Sequence, residues 1–186
     1  MCGRYTSLTE DEVIKIRELL KNITLKDDLI IEPKEVYPTD NSVIILKDKD
    51  ELLFESIKWG FKKWDGTGVI INARMETIKD KVTFTKLYEE SRCVIPAKSF
   101  FEWGLSDDKK RKYQFKDALG NILYMAGLYR IYENVKEYVI LTRKAVGEIA
   151  KIHDRMPVLL KVDQIESWLN KTISFDDIND FELKII

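Results

Sequence analysis

The sequence predicts a single α+β domain over residues 1–186, with a strongly bent, mostly antiparallel, barrel-like sheet at its core and short flanking helices. Closely spaced strand-like segments with short turns fill the centre of the chain, a pattern typical of an antiparallel meander or barrel. The length of 186 residues, 45% of them apolar, suits one domain with one core.

The first helix is predicted over residues 9–21. Thr9 and Glu12 have the spacing of a capping box, and apolar residues then recur at helical spacing. Further helices are predicted over residues 84–90, 145–152 and 164–170.

Strands are predicted over residues 42–46, 52–58, 69–71, 93–95, 99–103, 113–115, 122–125, 128–132 and 138–141. The first two form a hairpin around the charged residues 47–50, and turns are predicted at residues 118–121 and 133–134. Pro96 and Gly104 are expected to end their strands. The third strand is expected to be buried and to stop at Asn72.

Composition excludes several functional classes. The chain has 31 basic and 32 acidic residues, so it is neither histone-like nor an acidic tail. It has no apolar run near the ~18 residues needed to cross a bilayer, and no secretory signal, so we expect a cytoplasmic location. Two cysteines and one histidine do not make a zinc site, so neither a metal nor another cofactor is expected.

Cys2 is the sharpest chemical feature, because removal of Met1 leaves an N-terminal cysteine with an amine and a thiol two carbons apart. An α-amino group has a pKa of ~7.7–8.0, so a fraction is uncharged at neutral pH and can attack an aldehyde. Closure by the thiol then gives a five-membered thiazolidine. The alternative is that Cys2 merely follows the start codon and is disordered.

Two polar residues stand inside apolar segments. Asn72 follows Val-Ile-Ile, and Glu102 lies between two phenylalanines and Trp103. Desolvation would raise the pKa of such a carboxyl and let it donate a proton near pH 7. Strand alternation could equally place Glu102 on the solvent face.

His153, the single histidine, could transfer protons near neutral pH or be structural. Thr142 could hold a phosphate or cap a helix. Trp59, Trp64 and Trp103 lie near several cations, the composition of single-stranded nucleic-acid binding, although aromatics are also core material. The basic run 109–112 is expected in a solvated turn without a site role.

Six segments together resemble the SOS response-associated peptidase family, the abasic-site processing proteins. They are Met-Cys-Gly-Arg-Tyr at the start, Ile-Asn-Ala-Arg-Met-Glu-Thr at 71–77, Arg-Cys-Val-Ile-Pro-Ala-Lys-Ser-Phe-Phe-Glu-Trp at 92–103, Ala-Gly-Leu-Tyr at 126–129, Ile-Leu-Thr at 140–142 and Ile-His-Asp-Arg-Met-Pro-Val at 152–158. The resemblance spans residues 2–168 in order and implies a mixed α+β fold.

The resemblance implies a thiazolidine crosslink between Cys2 and the ring-opened sugar of an abasic site in single-stranded DNA. It implies that Asn72 positions the reacting groups, that Glu102 shuttles protons and that His153 assists ring opening and crosslink reversal. The four side chains are therefore expected to meet in one groove. It further implies that backbone phosphates are held by Arg4, Arg74, Thr142 and Arg155, to which the composition adds Trp64 and Trp103 as DNA-binding residues.

Two segments depart from the family pattern. Residues 35–40 read Glu-Val-Tyr-Pro-Thr-Asp where a Tyr-Asn-Ile-Ala-Pro type of segment is usual, and residues 61–64 read Phe-Lys-Lys-Trp where Ile-Pro-Ser-Trp is usual. These changes indicate a short-loop variant whose wedge against stacked bases is built differently. A retained Met1 would acylate the Cys2 amine and block the reaction.

Two other functions stay open. One is a cysteine-dependent peptidase, including self-cleavage after Met1, and the other is a noncatalytic single-stranded DNA-binding module. The expected partners are abasic DNA and the replication machinery, at the nucleoid, with the protein acting as a monomer and without a membrane.

Overall fold

The computed structural model describes residues 2–20, 23–26, 29–80, 82–106, 109–178 and 181–186. The described residues form three α-helices: α1 (Glu10–Leu19), α2 (Val82–Glu90) and α3 (Ile165–Leu169). Their strands are β1 (Arg4–Thr6), β2 (Ile23–Leu25), β3 (Glu35–Val36), β4 (Asn41–Asp48), β5 (Glu51–Trp59), β6 (Phe61–Lys62), β7 (Val69–Ile70), β8 (Asn72–Arg74), β9 (Arg92–Ala97), β10 (Ser99–Ser106), β11 (Lys109–Asp117), β12 (Leu123–Tyr132), β13 (Val135–Lys144), β14 (Arg155–Pro157), β15 (Leu159–Leu160) and β16 (Leu183–Ile185).

Five of these strands close into a ring, which confirms the predicted bent, barrel-like sheet. Neighbours around the ring are β13, β12, β9, β4 and β5, and β5 pairs again with β13. All these pairings are antiparallel except the closing one, where Glu137 lies opposite Lys58 in parallel register. The short strand β8 runs parallel to β13 further along the same strand.

A second sheet carries the N-terminal segment. Its strand order is β16, β11, β10, β1 and β3, all antiparallel. Arg4 lies opposite Phe101 in the β1–β10 register, so the residues just before β1 lie beside the middle of β10.

Two buried clusters form the core. One contains Trp168, Phe54 and the inner face of α1, and the other contains Tyr5, Trp59, Tyr138 and both cysteines. The aromatic rings of Trp59 and Tyr138 stack at 6.3 Å between centroids. Trp59 is therefore core material rather than a nucleic-acid contact.

Several local predictions are confirmed. The Thr9 hydroxyl accepts from the main-chain N–H of Glu12 and the Glu12 carboxylate accepts from the N–H of Thr9, as a capping box requires. Helix α1 ends at Leu19, and Lys21, the predicted end, lies outside the described residues. The hairpin β4–β5 and helix α2 form as predicted. The turn Glu133-Asn134 has positive φ at both residues, as a two-residue hairpin turn favours.

Two predicted strand ends are wrong. Strand β10 continues through Gly104, where a Cβ would lie 2.8 Å from Cγ2 of Ile152, so this glycine permits a close approach instead of a turn. Strand β9 continues through Pro96. The described pairing of β9 with β4 is at Val94, two residues earlier, so on that side Pro96 has no partner strand that would need its missing N–H.

The strands predicted over 122–125 and 128–132 are one strand, β12. They merge through Gly127, where a Cβ would lie 2.7 Å from the carbonyl oxygen of Val139. Residues 69–71 are only half-buried, whereas burial was predicted. Strand β7 ends at Ile70, just before Asn72, and Asn72 itself begins the next strand, β8. The basic run 109–112 begins β11 with exposed side chains, so it belongs to a strand rather than a turn.

Two predicted helices are shorter and tighter than expected. Residues 147–151 form a 3-10 turn, because Gly147 has a φ of 63° and breaks the start of an α-helix. A 3-10 turn over Val162–Gln164 leads into α3, which has five residues. No helix in the described part of the chain is long and apolar enough to span a membrane.

Candidate active site

Cys2 is separated from β1 by one residue and is fully buried, so the interpretation that it is disordered is wrong. Its carbonyl accepts a hydrogen bond from Asn72 Nδ2 at 2.9 Å, and its thiol donates to the Arg4 carbonyl at 3.7 Å. Burial raises the pKa of the thiol far above its ordinary value, and the negative charge of Glu102 raises it further. The thiol therefore stays protonated at neutral pH in this state of the protein.

Asn72 approaches Cys2 from the first position of β8. This strand is fixed against β13, where Asn72 lies opposite Ile140. The amide oxygen Oδ1 is buried and accepts no hydrogen bond from a described residue. Because unpaired buried polar atoms are uncommon, this oxygen is available to a bound reactant or a water molecule.

Glu102 lies in the middle of β10 with only 2% of its surface exposed. The interpretation that it faces solvent is therefore wrong. Burial raises the pKa of its carboxyl, and the positive charge that His153 can carry opposes the rise. Because Trp103 follows it in the strand, Trp103 projects from the opposite face of the sheet.

His153 is the more open member of the site, with 24% of its side chain exposed. Its Nδ1 accepts from the main-chain N–H of Arg155 at 2.9 Å, which places the proton of the neutral ring on Nε2. Nε2 lies 3.8 Å from Glu102 Oε2. Asp154 Oδ1 lies 3.0 Å from Nδ1 and would pair with the ring once it is protonated.

The four predicted catalytic side chains thus come together from four distant segments. Asn72 contacts Cys2, the Glu102 charge acts on the Cys2 thiol, and His153 faces Glu102. In the described chain no group of three His, Cys, Asp or Glu residues could hold a metal ion. The four side chains supply a thiol, an amide, a carboxyl and an imidazole.

Arg155 and Thr142 are less accessible to a phosphate than the sequence suggested. The Arg155 guanidinium binds both carboxylate oxygens of Glu76, at 2.7 and 2.8 Å, and also donates to the carbonyl of Thr142. Thr142 is fully buried in β13 and caps no helix. Arg155 Nε remains buried without a hydrogen bond to a described residue.

Arg4 lies on the outer face of the second sheet together with Trp103. Its Nη1 is 3.2 Å from Glu35 Oε2, and its guanidinium lies over the rings of Tyr37 and Trp103 at 4.1 and 5.1 Å. The Glu35 carboxylate also binds Lys112, whose hydrogen bond is the main cause that lowers the pKa of Glu35. Arg4 thus already has a carboxylate partner.

Trp64 and Arg74 remain freely accessible. Trp64 lies between β6 and β7 and is 93% exposed. Arg74 is exposed at the end of β8, two residues after Asn72. These two side chains are the most open of the predicted DNA-binding residues.

Sequence reasoning missed Glu76, Glu35 and Tyr37. Glu76 lies within the segment 71–77 that carries the resemblance, and an acid just after a polar strand end was a usable signal. Glu35 and Tyr37 lie in the segment that departs from the family pattern. Nothing in the local sequence could reveal that both would contact Arg4.

Comparisons with known proteins concern the family and the fold of the chain. A family model described as SOS response associated peptidase (SRAP) matches residues 1–182. The chain is 33% identical over 181 residues to abasic site processing protein YoqW of Bacillus subtilis, covering 91% of this chain and 80% of the relative. It is 28% identical over 182 residues to abasic site processing protein YedK of Escherichia coli, covering 94% and 82%. A crystal structure of a Bordetella bronchiseptica protein superposes with a TM-score of 0.81 at 22% identity, covering 99% and 98%.

Proposed function

Because the chain belongs to the SOS response associated peptidase family, we propose that it processes abasic sites in single-stranded DNA by forming a covalent crosslink through Cys2. The curated relatives are named for abasic site processing, which supports the substrate class. The observation that carries the proposal is the hydrogen bond from Asn72 to the Cys2 carbonyl beside the buried carboxyl of Glu102.

The reaction begins with the amine. After removal of Met1, which lies outside the described residues, the uncharged Cys2 amine attacks the sugar aldehyde. Loss of one water gives an imine, and addition of the Cys2 thiol across its C=N bond closes the thiazolidine. The thiol proton ends on the ring nitrogen, so the overall change is aldehyde plus aminothiol to thiazolidine plus water.

Glu102 and His153 supply the proton transfers. Because burial raises the pKa of Glu102, its carboxyl can donate a proton to the leaving hydroxyl. His153, which is open to solvent, then supplies a new proton to Glu102. Asn72 holds the Cys2 main chain and so orients the amine toward the sugar aldehyde, which lowers the cost of bringing the two reacting groups together. Arg74 is the exposed cation nearest Asn72 in the chain and is proposed as a phosphate contact, with Trp64 as a stacking surface.

The peptidase alternative ranks second. A cysteine hydrolase needs a thiolate, and burial raises the pKa of the Cys2 thiol. A noncatalytic binding module ranks third, since binding alone needs no buried carboxyl beside an N-terminal cysteine. We further propose that the protein acts as a monomer without a cofactor, near the replication machinery.

Intact-mass spectrometry tests the proposal. The purified protein is mixed with a single-stranded oligonucleotide that carries one abasic site, and in parallel with one that carries a tetrahydrofuran in place of the aldehyde-bearing sugar. We expect the purified protein to lack Met1. We expect a heat-stable adduct, with the mass of protein plus oligonucleotide minus one water, only with the oligonucleotide that carries the aldehyde. Cys2→Ala should bind both oligonucleotides and form no adduct. An adduct that persists in Cys2→Ala, or none from protein with a free Cys2, would overturn the proposal.

A further inference from the structure

A recess of about 260 Å³ lies at the end of the barrel where β9 begins. Four cations line it, which are Lys47, Lys49, Arg92 and Lys171, and we call it the basic recess. Its single lining carboxylate is Glu90, which lies 3.8 Å from Lys86. The chain as a whole has a formal charge of −1, so this excess of positive charge is a local feature.

Arg92 forms the floor of the recess and is 7% exposed. Its Nε and Nη1 donate to the carbonyls of Tyr88 and Ile173 at 2.8 Å, and its guanidinium lies between the rings of Tyr88 and Trp168 at 4.2 and 4.3 Å. Nη1 also lies 3.4 Å from the carbonyl of Trp168. Among the described residues no carboxylate forms an ion pair with Arg92, whose buried charge is met only by carbonyls and aromatic groups. A buried cation without a counter-ion is costly unless an anion reaches it.

The other cations come from separate turns. Lys49 lies at the tip of the β4–β5 hairpin and Lys171 follows α3, both in the left-handed region with φ of 53° and 65°. Neither makes an ion pair with a described residue, while Lys47 Nζ donates to Asn170 Oδ1. Asp48, Asp50 and Glu51 flank the hairpin tip, but none of them lines the recess. Tyr129 also lines it, and burial raises the pKa of its hydroxyl, which therefore stays a hydrogen-bond donor.

We propose that the basic recess is a phosphate-binding site, in which Arg92 and Tyr129 line the floor beneath the phosphate and Lys49 and Lys171 close over it. The planar guanidinium supplies direction, and the lysines supply charge. The site is separate from Cys2, because Arg92 is the first residue of β9 and the strand runs ~17 Å from there toward β10, at ~3.3 Å per residue. It does not depend on the proposed function.

The test compares two variants that lose the same charge. Lys49→Asn/Lys171→Asn removes two recess cations with a residue that tolerates positive φ, and Lys109→Asn/Lys110→Asn removes two exposed cations from β11. Inorganic phosphate is titrated calorimetrically into each full-length protein at constant ionic strength. We expect the recess variant to bind phosphate about tenfold more weakly, as for the loss of one charge-assisted hydrogen bond, and the β11 variant to match wild type.

A second titration identifies the source of the phosphate. If the recess variant also binds an oligonucleotide without an abasic site more weakly than the β11 variant does, the recess takes backbone phosphate; if only inorganic phosphate is affected, it takes a free phosphate. Equal phosphate affinity in both variants, or no phosphate binding by wild type, would overturn the proposal. Thermal melting of both variants checks that the fold is intact.

Discussion

Glu102 Oε2 and His153 Nε2 face each other at 3.8 Å, too far for a direct hydrogen bond and close enough for one oxygen atom to bridge them. A water or a substrate hydroxyl in that gap would contact both groups that can move protons. The pair is buried on the Glu102 side and open on the His153 side, so protons can pass between the reacting atoms and solvent.

Glu102→Gln should slow adduct formation by roughly 10²- to 10⁴-fold, the usual contribution of a positioned general acid. In the wild type the rate should fall as pH rises through the raised pKa of Glu102, since the acid form is lost. Glutamine does not ionise, so the variant should lack that decline. Single-turnover rates between pH 5 and 9 measure both effects, and a wild-type profile identical to that of the variant would contradict the assignment.

Glu102→Gln, which should slow the reaction, should increase the free energy of unfolding relative to wild type at higher pH. A carboxyl whose pKa is raised by folding favours the folded state below its unfolded pKa, and that contribution is lost as pH rises through the folded pKa. Glu102→Gln should therefore gain stability relative to wild type on going from pH 5 to pH 8. Urea unfolding at the two pH values measures this, and a gain that shrinks toward pH 8 would refute the raised pKa.

Asn72→Ala should slow adduct formation by about 100-fold, because a misplaced nucleophile loses the benefit of proximity. Stability should fall by only ~1 kcal/mol, the net value of one hydrogen bond. Asn121→Ala is a matched control, since it removes a 2.9 Å amide hydrogen bond to Asp117 away from the site. Equal adduct rates in the two variants would show that Asn72 does not position Cys2.

Trp64→Ala should weaken binding of single-stranded DNA by roughly 5- to 150-fold, which corresponds to one lost base stack of about 1–3 kcal/mol. The melting temperature should not change, because the side chain is 93% exposed. Leu119→Ala, at an 87% exposed position on another surface, serves as control. Fluorescence anisotropy with an oligonucleotide lacking an abasic site gives both affinities, which should differ.

Glu76→Gln should lower stability at pH 7 by about 1 kcal/mol, a modest figure because 44% of the Glu76 side chain is exposed and water screens it. Arg155, through its hydrogen bonds, lowers the pKa of Glu76 to about 2. The ion pair contributes its full free energy of unfolding above the ordinary pKa of a glutamate, and this contribution is lost as pH falls through the Glu76 pKa of about 2. The difference between variant and wild type in urea unfolding should therefore narrow below pH 4.5, and a constant difference would exclude the ion pair as its source.

Local signals predicted the elements whose cause is local. The capping box at Thr9 and Glu12 predicted the start of α1, and two β-branched or apolar runs on either side of a charged turn predicted the β4–β5 hairpin. The antiparallel, bent sheet followed from the spacing of such segments. The family resemblance, rather than any pattern, predicted that Asn72 would lie beside Cys2.

Contacts between distant segments could not be predicted in the same way. Gly104 was expected to end a strand, and Gly127 lies in the gap between two predicted strands. The groups that approach these glycines, Ile152 and Val139, are not their neighbours in the chain, so the close approaches could not be predicted. Alternation could not orient Glu102, since aromatic residues lie on both sides of it. Arg155 lies 79 positions from Glu76 in the chain, so the sequence could not show that the Glu76 carboxylate pairs with the Arg155 guanidinium.

The burial of Cys2 has a consequence for biosynthesis. Strand β1 is held in place by β10, and Thr6 bonds to Ser99, 93 positions later in the chain. At about 5–20 residues per second, the ribosome needs roughly 5–20 s to make that stretch. During this interval the start of the chain lacks its docking partner and is open to an aminopeptidase. The proposed reaction of Cys2 therefore requires that methionine removal precede completion of the second sheet.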